Sequence, residues 1–215
     1  MTNLATDMFR NYRDWLDQQK MPRGKRVALL AALELFADQG FDGTSTQAVA
    51  DRAGISQATI FKYFKTKQDL LLAILQPVMD NFFPVYRDEF VAGIQRPQTL
   101  AEKVHFVVLD RYAFFKANRE AVKIFAVEMM TNAEIRQSFI KIVGVGNFAT
   151  FNKIMTTFRQ TGELRDDIQA ADLIRSFIGQ IVGYGIQTTY MPVSDTNETA
   201  DLQRITEQLI RLIHK

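Results

Sequence analysis

Thr44–Lys67 reads TSTQAVADRAGISQATIFKYFKTK, and its punctuation decides how the chain folds. Val49, Ala50 and Ala53 recur at helical spacing, and Ala53-Gly54 ends that helix because glycine enters the left-handed conformation a helix C-terminus uses. Thr46 is expected to cap this first helix and Ser56 a second one, whose buried face is Ile60 and Phe64. Ile55 and Ile60 take the two positions of a hydrophobic staple, which sets the angle at which the second helix leaves the turn. Thr66 and Asp69 then form a capping box that opens a third helix at once. Two short helices on a tight glycine turn form a helix-turn-helix, the unit that offers its second helix to the DNA major groove.

The residues this second helix leaves outside the core fit that task. Gln57 and Lys62 are of the types that read adenine and guanine, and Ala58 and Phe61 can meet a thymine methyl group. Thr59 and Tyr63 offer hydroxyls suited to phosphate oxygens. Lys67 falls at the first position of the third helix, where the helix dipole disfavours a cation. A phosphate held jointly by Lys67 and that helix N-terminus would reverse the penalty.

The net charge of +2 over 215 residues is too small to argue for nucleic acid, but its distribution is informative. From Lys20 to Lys67 there are eight basic residues against four acidic, whereas from Pro77 onward there are sixteen of each. The basic excess thus surrounds the helix-turn-helix, as an electrostatic footprint on DNA requires. A composition of 47% hydrophobic and 23% charged residues supports a packed core. There is no cysteine, which excludes a disulfide framework and thiolate metal sites. No apolar run reaches membrane-span length and no signal-peptide pattern opens the chain, so a soluble, cytoplasmic protein without membrane partners is expected.

Outward from the motif the pattern stays helical. Met8, Tyr12, Trp15 and Leu16 predict an amphipathic N-terminal helix, and Met21-Pro22 breaks it ahead of Arg23, Lys25 and Arg26. The next helix, Lys25 to Gln39, ends at Gly40 and carries a core stripe at Ala28, Leu29, Ala32, Leu35 and Phe36. Its second stripe, Val27, Leu30 and Leu33, has no destination in a three-helix domain, so Trp15 and Leu16 are expected to dock there. After Leu70, Pro77 and Pro84 predict a bent connector or a short helix followed by another. Helices follow at about 99–116, 119–130, 133–160, 168–190 and 198–213.

The segment FADQGFDGTSTQAVADRAGISQATIFKYFKTKQDLL, residues 36–71, resembles the DNA-binding signature of the tetracycline-repressor (TetR) family of bacterial transcriptional regulators. The likeness runs without gaps through Phe36, Gly40, Thr44-Ser45-Thr46, Ala50, Ala53-Gly54, Ser56, Thr59, Tyr63-Phe64, Lys67 and Leu70. It implies an all-α homodimer with an N-terminal three-helix DNA-binding domain containing the helix-turn-helix, and a C-terminal helical domain for ligand binding and dimerisation. In this chain that gives an N-terminal extension over 1–22, a DNA-binding domain over 23–70 and a ligand-binding and dimerisation domain over 71–215. By matching position it also implies phosphate contacts from Thr46, Thr59, Tyr63 and Lys67, and base contacts from Gln57, Ala58 and Lys62. Ala58 and Phe61 stand where many members have Gly and Tyr, which alters the base preference expected there.

In the C-terminal region the expected ligand-binding residues are Phe106, Tyr112, Phe125, Met129, Phe148, Phe151, Asn152, Met155, Phe177, Gln180 and Tyr184. Their aromatic and apolar character implies a largely apolar or aromatic small-molecule effector. His105, Glu128 and Asn147 are further polar candidates, and a metal site is improbable with only His105 and His214 in the chain. Gly179 and Gly183 share one helix face and, with Phe177 to Ile186, are assigned to dimer packing and the pocket floor. Phe139–Val143 followed by Gly144-Val145-Gly146-Asn147-Phe148-Ala149 imitates a strand and a dinucleotide fingerprint, but its surroundings are helical, so no cofactor is expected. The expected function is a non-enzymatic, ligand-responsive repressor that binds a pseudo-palindromic, double-stranded DNA operator as a homodimer. The alternative is a regulator-like protein that acts through protein contacts and carries a vestigial DNA motif.

Overall fold

The computed structural model describes the backbone of residues 12–82, 85–146, 148–191 and 197–215, with side chains for all of these except 78–82, 85–89, 142–146 and 148–151. Among the described residues the regular structure is helical, apart from one isolated antiparallel bridge between Leu164 and His214. The chain divides into two compact units that do not follow chain order: residues up to Tyr86 with Asn118–Val143, and Arg87–Ala117 with Gly144–Lys215.

In the first unit the helices are α1 (Tyr12–Gln18), α2 (Arg23–Gly43), α3 (Thr46–Ala53), α4 (Gln57–Tyr63) and α5 (Lys67–Phe82), joined by α8 (Arg119–Thr131) and most of α9 (Ala133–Gly146). α2 is the post: α1, α3, α4, α5 and α8 all pack on it. Ala28, Leu29, Ala32, Leu35 and Phe36 are buried as the stripe predicts, and the helix breaks at Gly40, whose φ of 78° leaves the helical region. The second stripe also has cover, with Leu33 buried and Val27 and Leu30 half-buried.

α1 packs on α2. Leu16 is fully buried as expected, but the aromatic residue inserted beside it is Tyr12, 2% exposed, while Trp15 is half-buried with its ring 5.7 Å from that of Tyr12. Met8 lies outside the described residues. Polar contacts tie the same helix to its neighbours: the Tyr12 amide donates to Asn118 Oδ1 at 3.0 Å, and the Arg13 guanidinium bridges Glu34 of α2 and Glu120 of α8. Arg26 donates to the Gln19 carbonyl, and Lys123 of α8 donates to the Ala37 carbonyl in the last turns of α2. The Arg13 pairs are partly exposed, so each contributes no more than about 1 kcal/mol. Apolar burial of Tyr12 and Leu16, about 1.5–3 kcal/mol each, carries most of the docking. Among the described residues the buried Tyr12 hydroxyl has no hydrogen-bond partner, and burial pushes its pKa well above the ordinary phenol value.

The second unit holds most of α6 (Val85–Gln95), α7 (Leu100–Ala117), α10 (Phe148–Arg159), α11 (Ala170–Tyr190) and α12 (Glu198–Ile213). α7 is packed by α11 and α12 over a core that includes Leu100, Val104, Val108, Phe158, Ile181, Leu209 and Ile213. Lys103 is buried in this unit, its ammonium donating to the carbonyls of Ile94 and Pro97; desolvation draws its pKa below the ordinary lysine value. At Gly185 any side chain would collide with the Phe115 ring, 2.4 Å from an added Cβ, so α11 meets α7 closely there. Elsewhere on α11 Ile178, Ile186 and Tyr190 are exposed, and among the described residues nothing lies close to a Cβ added at Gly179 or Gly183.

Of the stretch expected as one helix over 133–160, Ala133–Gly146 (α9) and Phe148–Arg159 (α10) are helical, and residue 147 lies outside the described residues. α5 runs through Pro77 to Phe82 and α6 follows from Val85; Pro84 lies outside the described residues. Phe139–Gly146 is helical, so the strand that a dinucleotide fingerprint requires is missing before Gly144.

Two substitutions test the docking of α1. Leu16→Ala is expected to destabilise the protein by about 2–5 kcal/mol, seen as a lower denaturant midpoint. Tyr12→Phe keeps the ring and removes the unpaired hydroxyl, and is expected to stabilise by about 1–3 kcal/mol. A neutral Leu16→Ala would mean that α1 is not part of the first unit.

Candidate nucleic-acid interface and aromatic core

The interface is built from three helix starts. Ser45, not Thr46, caps α3: its hydroxyl accepts from the Ala48 amide at 3.0 Å, which makes Thr46 the first helical residue. Thr44-Ser45-Thr46 offers three capping residues in a row, and the pattern alone chose the wrong one. Gly54 closes α3 with φ 64° and ψ 35°, the left-handed conformation expected there. Ser56 caps α4 by accepting from the Thr59 amide at 3.2 Å. Thr66 and Asp69 form the expected reciprocal box, with both bonds at 3.0 Å.

Val49, Ala50, Ile60 and Phe64 are buried beneath this surface, and Ala53 is half-buried. Above it Ala58, Phe61 and Lys62 are exposed, with Phe61 at 46%, and Gln57, Thr59 and Tyr63 are half-exposed. Phe61 thus turns about half of its surface to solvent on a seven-residue helix. Lys62 holds its ammonium 5.8 Å from the centre of the Tyr63 ring. Gln57 Nε2 donates to Thr46 Oγ1 at 2.9 Å, linking the first residues of α4 and α3.

Two features of this surface were not legible in sequence. Gly24, in the first turn of α2, lies against α4: a Cβ there would stand 3.3 Å from Thr59 Cγ2 and 3.3 Å from Tyr63 Cε2. Only a glycine between basic residues marked the spot. Lys67 begins α5 as expected, but its ammonium donates to the carbonyls of Phe41 at 2.8 Å and Thr44 at 3.0 Å and lies 4.3 Å from the Phe41 ring centre. It therefore fastens the link between α2 and α3, with two of its three N–H donors committed inside the protein.

The expected ligand-binding residues separate. Phe106, Tyr112, Met155, Phe177 and Tyr184 share the core of the second unit, where Tyr112 and Tyr184 are 5.2 Å apart and Phe106 stacks on Phe90 at 5.9 Å. The Tyr184 hydroxyl donates to Asp201 at 3.1 Å, and burial with this bond raises its pKa well above the ordinary phenol value. Phe125 and Met129 belong to α8 in the first unit, where Phe125 meets Phe139 at 5.1 Å. Asn152, Gln180 and His105 are exposed, and Glu128 is buried with its carboxylate accepting from Asn132. The side chains of Phe148, Phe151 and Asn147 lie outside the described residues. Among the described residues no cluster of metal-ligating side chains occurs, and no helix is long and apolar enough to cross a membrane.

A capped helix-turn-helix carrying exposed Phe61 and Lys62, set in an all-helical chain of two units, defines a DNA-binding transcriptional regulator. Residues 28–74 match the family model of bacterial regulatory proteins, tetR family. Residues 28–74 thus carry a TetR-type DNA-binding region, which makes the chain a DNA-binding regulator. It is 24% identical over 198 residues to the fatty acid metabolism regulator protein of Bacillus subtilis (strain 168), covering 92% of this chain and 98% of that one. Over 138 residues it is 28% identical to the transcriptional repressor KstR2 of Rhodococcus jostii (strain RHA1), covering 64% of this chain and 61% of that one. Among solved structures, Bacillus subtilis FadR in complex with stearoyl-CoA shares the fold with a TM-score of 0.65 at 23% identity, over 86% of this chain and 96% of that one. KstR2 of Mycobacterium tuberculosis gives 0.68 at 19% identity, over 92% and 97%.

The close approach at Gly24 yields a test. Gly24→Leu must push Thr59 and Tyr63 aside, an overpacking cost of about 1–3 kcal/mol. Fluorescence anisotropy should show weaker binding to specific and random DNA alike, with helix content retained. Unchanged affinity would mean that Thr59 and Tyr63 do not touch the DNA.

Proposed function

We propose that the protein is a dimeric repressor that holds a pseudo-palindromic operator in its effector-free state and releases it when a largely apolar small molecule binds. Residues 23–70 read the DNA, residues 71–215 bind the effector and dimerise, and α1 braces α2. The observation that carries the reading is the near full-length similarity to a fatty acid metabolism regulator, together with an exposed reading face on α4. Long-chain acyl compounds are therefore the effector class to test first, and the aromatic core around Tyr112, Phe177 and Tyr184 agrees with an apolar guest. Action on chromosomal DNA places the protein in the cytoplasm.

On the DNA, Gln57, Ala58, Phe61 and Lys62 face base edges, while Thr46, Thr59 and Tyr63 hold phosphates. Lys67 contributes through the α2–α3 link and the start of α5, whose free amides favour an anion. A pseudo-palindrome needs two α4 helices at fixed separation, and the exposed apolar residues of α11 offer the joining surface: Ile186 and Tyr190 flank Gly179 and Gly183, where a partner helix can come close, and Ile178 extends the patch around the helix. The effector can only act by favouring the conformation in which that separation is wrong.

Three outcomes follow. Tyr63→Phe and Lys67→Ala should weaken binding to every sequence, whereas Gln57→Ala and Lys62→Ala should change which sequence is preferred; equal losses for all four would refute the division of labour. Ile178→Asp with Ile186→Asp should convert the dimer to monomer in analytical ultracentrifugation and abolish tight operator binding. Stearoyl-CoA, and not free coenzyme A, should release a labelled operator duplex in a gel shift. If a panel of acyl-CoAs, free fatty acids and steroids all leave the complex intact, the effector class is wrong.

A further inference from the structure

The 2.9 Å bond from Gln57 Nε2 to Thr46 Oγ1 connects a residue proposed to read a base with one proposed to hold a phosphate. Both residues begin a helix whose start is pinned by a serine cap, Ser45 for Thr46 and Ser56 for Gln57. Among the described residues neither side chain makes another hydrogen bond, so each is the other's partner. The bookkeeping of donors is then decisive. A threonine hydroxyl has one hydrogen to give and lone pairs to accept with; a glutamine carboxamide has two N–H donors on one side and a carbonyl on the other.

Consider a DNA phosphate arriving at Thr46. It takes the hydroxyl hydrogen, and only a lone pair remains to face Gln57. The glutamine must then turn its N–H toward Thr46, because the opposite orientation would set its carbonyl oxygen against an oxygen with no hydrogen left. In the enforced orientation the second N–H and the carbonyl project together, the arrangement that pairs with adenine N7 and N6. Without the phosphate, the hydroxyl can donate to the glutamine carbonyl as easily as it can accept, and the reader can flip.

We propose that Thr46 is a positioning residue for base recognition: the phosphate it holds fixes its hydroxyl, and the hydroxyl fixes Gln57 in the orientation that reads adenine. This rests on Gln57 facing a base, as proposed above. Backbone clamping and sequence reading are then coupled through a single hydrogen bond. Thr46 sets specificity without touching a base. The neighbouring amides at the start of α3, which have no partner within the helix, help to hold the same phosphate.

The test uses the full-length protein and duplexes selected by it from a random pool, at low salt so that losing one phosphate contact leaves binding measurable. At each position the A·T to G·C affinity ratio is measured for the wild type, Gln57→Ala, Thr46→Val and Thr46→Ser. The wild type is expected to prefer adenine about tenfold or more at one position, and Gln57→Ala to lose that preference, since a bidentate adenine contact is worth about 1–3 kcal/mol. Thr46→Val should reduce the same ratio to about twofold, and Thr46→Ser should retain it, the hydroxyl being the only group at issue. A second measurement leaves the protein unaltered: neutral methylphosphonates are placed one at a time along the operator, and one of them should lower the adenine ratio as Thr46→Val does. If Gln57→Ala shifts the preference while Thr46→Val weakens all sequences equally and no methylphosphonate changes the ratio, Thr46 is a phosphate anchor alone and the proposal is overturned. If Gln57→Ala changes no preference, base reading by Gln57 fails first.

Discussion

A helix of seven residues does not hold its shape or direction by its own hydrogen bonds, yet α4 must present its side chains at fixed positions. Everything in the first unit answers that constraint. Ile60 anchors the middle of α4 in the core, Ser56 ties down its start, and Gly54 sets the angle of approach. Gln57 is bonded to the start of α3, and Thr59 and Tyr63 lean on Gly24 of α2. Each contact is small. Together they leave the helix one orientation.

The support in turn depends on α2, which is held from several sides. α1 adds Tyr12 and Leu16 to its packing, α8 reaches the Ala37 carbonyl through Lys123, and Lys67 holds the carbonyls of Phe41 and Thr44 beyond the break at Gly40. The last two place cations against backbone carbonyls near the C-terminal end of α2, which is electrostatically favourable as well as geometrically binding. A helix from the middle of the chain is thus built into the same compact unit as the reading head.

What was legible beforehand follows from how local each signal is. Capping boxes, the glycine turn and the staple involve residues within a few positions of one another, and Ser56, Gly54 and the Thr66–Asp69 pair are found where the pattern puts them. The Thr44-Ser45-Thr46 run failed because three adjacent residues satisfy the same local rule, and only the path of the chain selects Ser45. Trp15 was favoured over Tyr12 for the docking of α1 because periodicity gives a face and not a depth. Gly24 and the partners of Lys67 had no local signal, since they arise between residues 35 to 39 and 23 to 26 positions apart.

The sequence by itself determined the all-helical class, the helix-turn-helix with its turn and caps, the identity of the side chains offered to DNA and the resemblance to TetR regulators, because these depend on short-range spacing and residue chemistry. Only the tertiary structure decided that Lys67 binds carbonyls of its own chain, that Gln57 and Thr46 act as a pair, that α8 belongs with the reading head and that the aromatic residues of the C-terminal region divide between two cores. The physical reason is that hydrogen-bond partnership and burial are set by which surfaces meet, and distant segments meet only when the whole chain has packed.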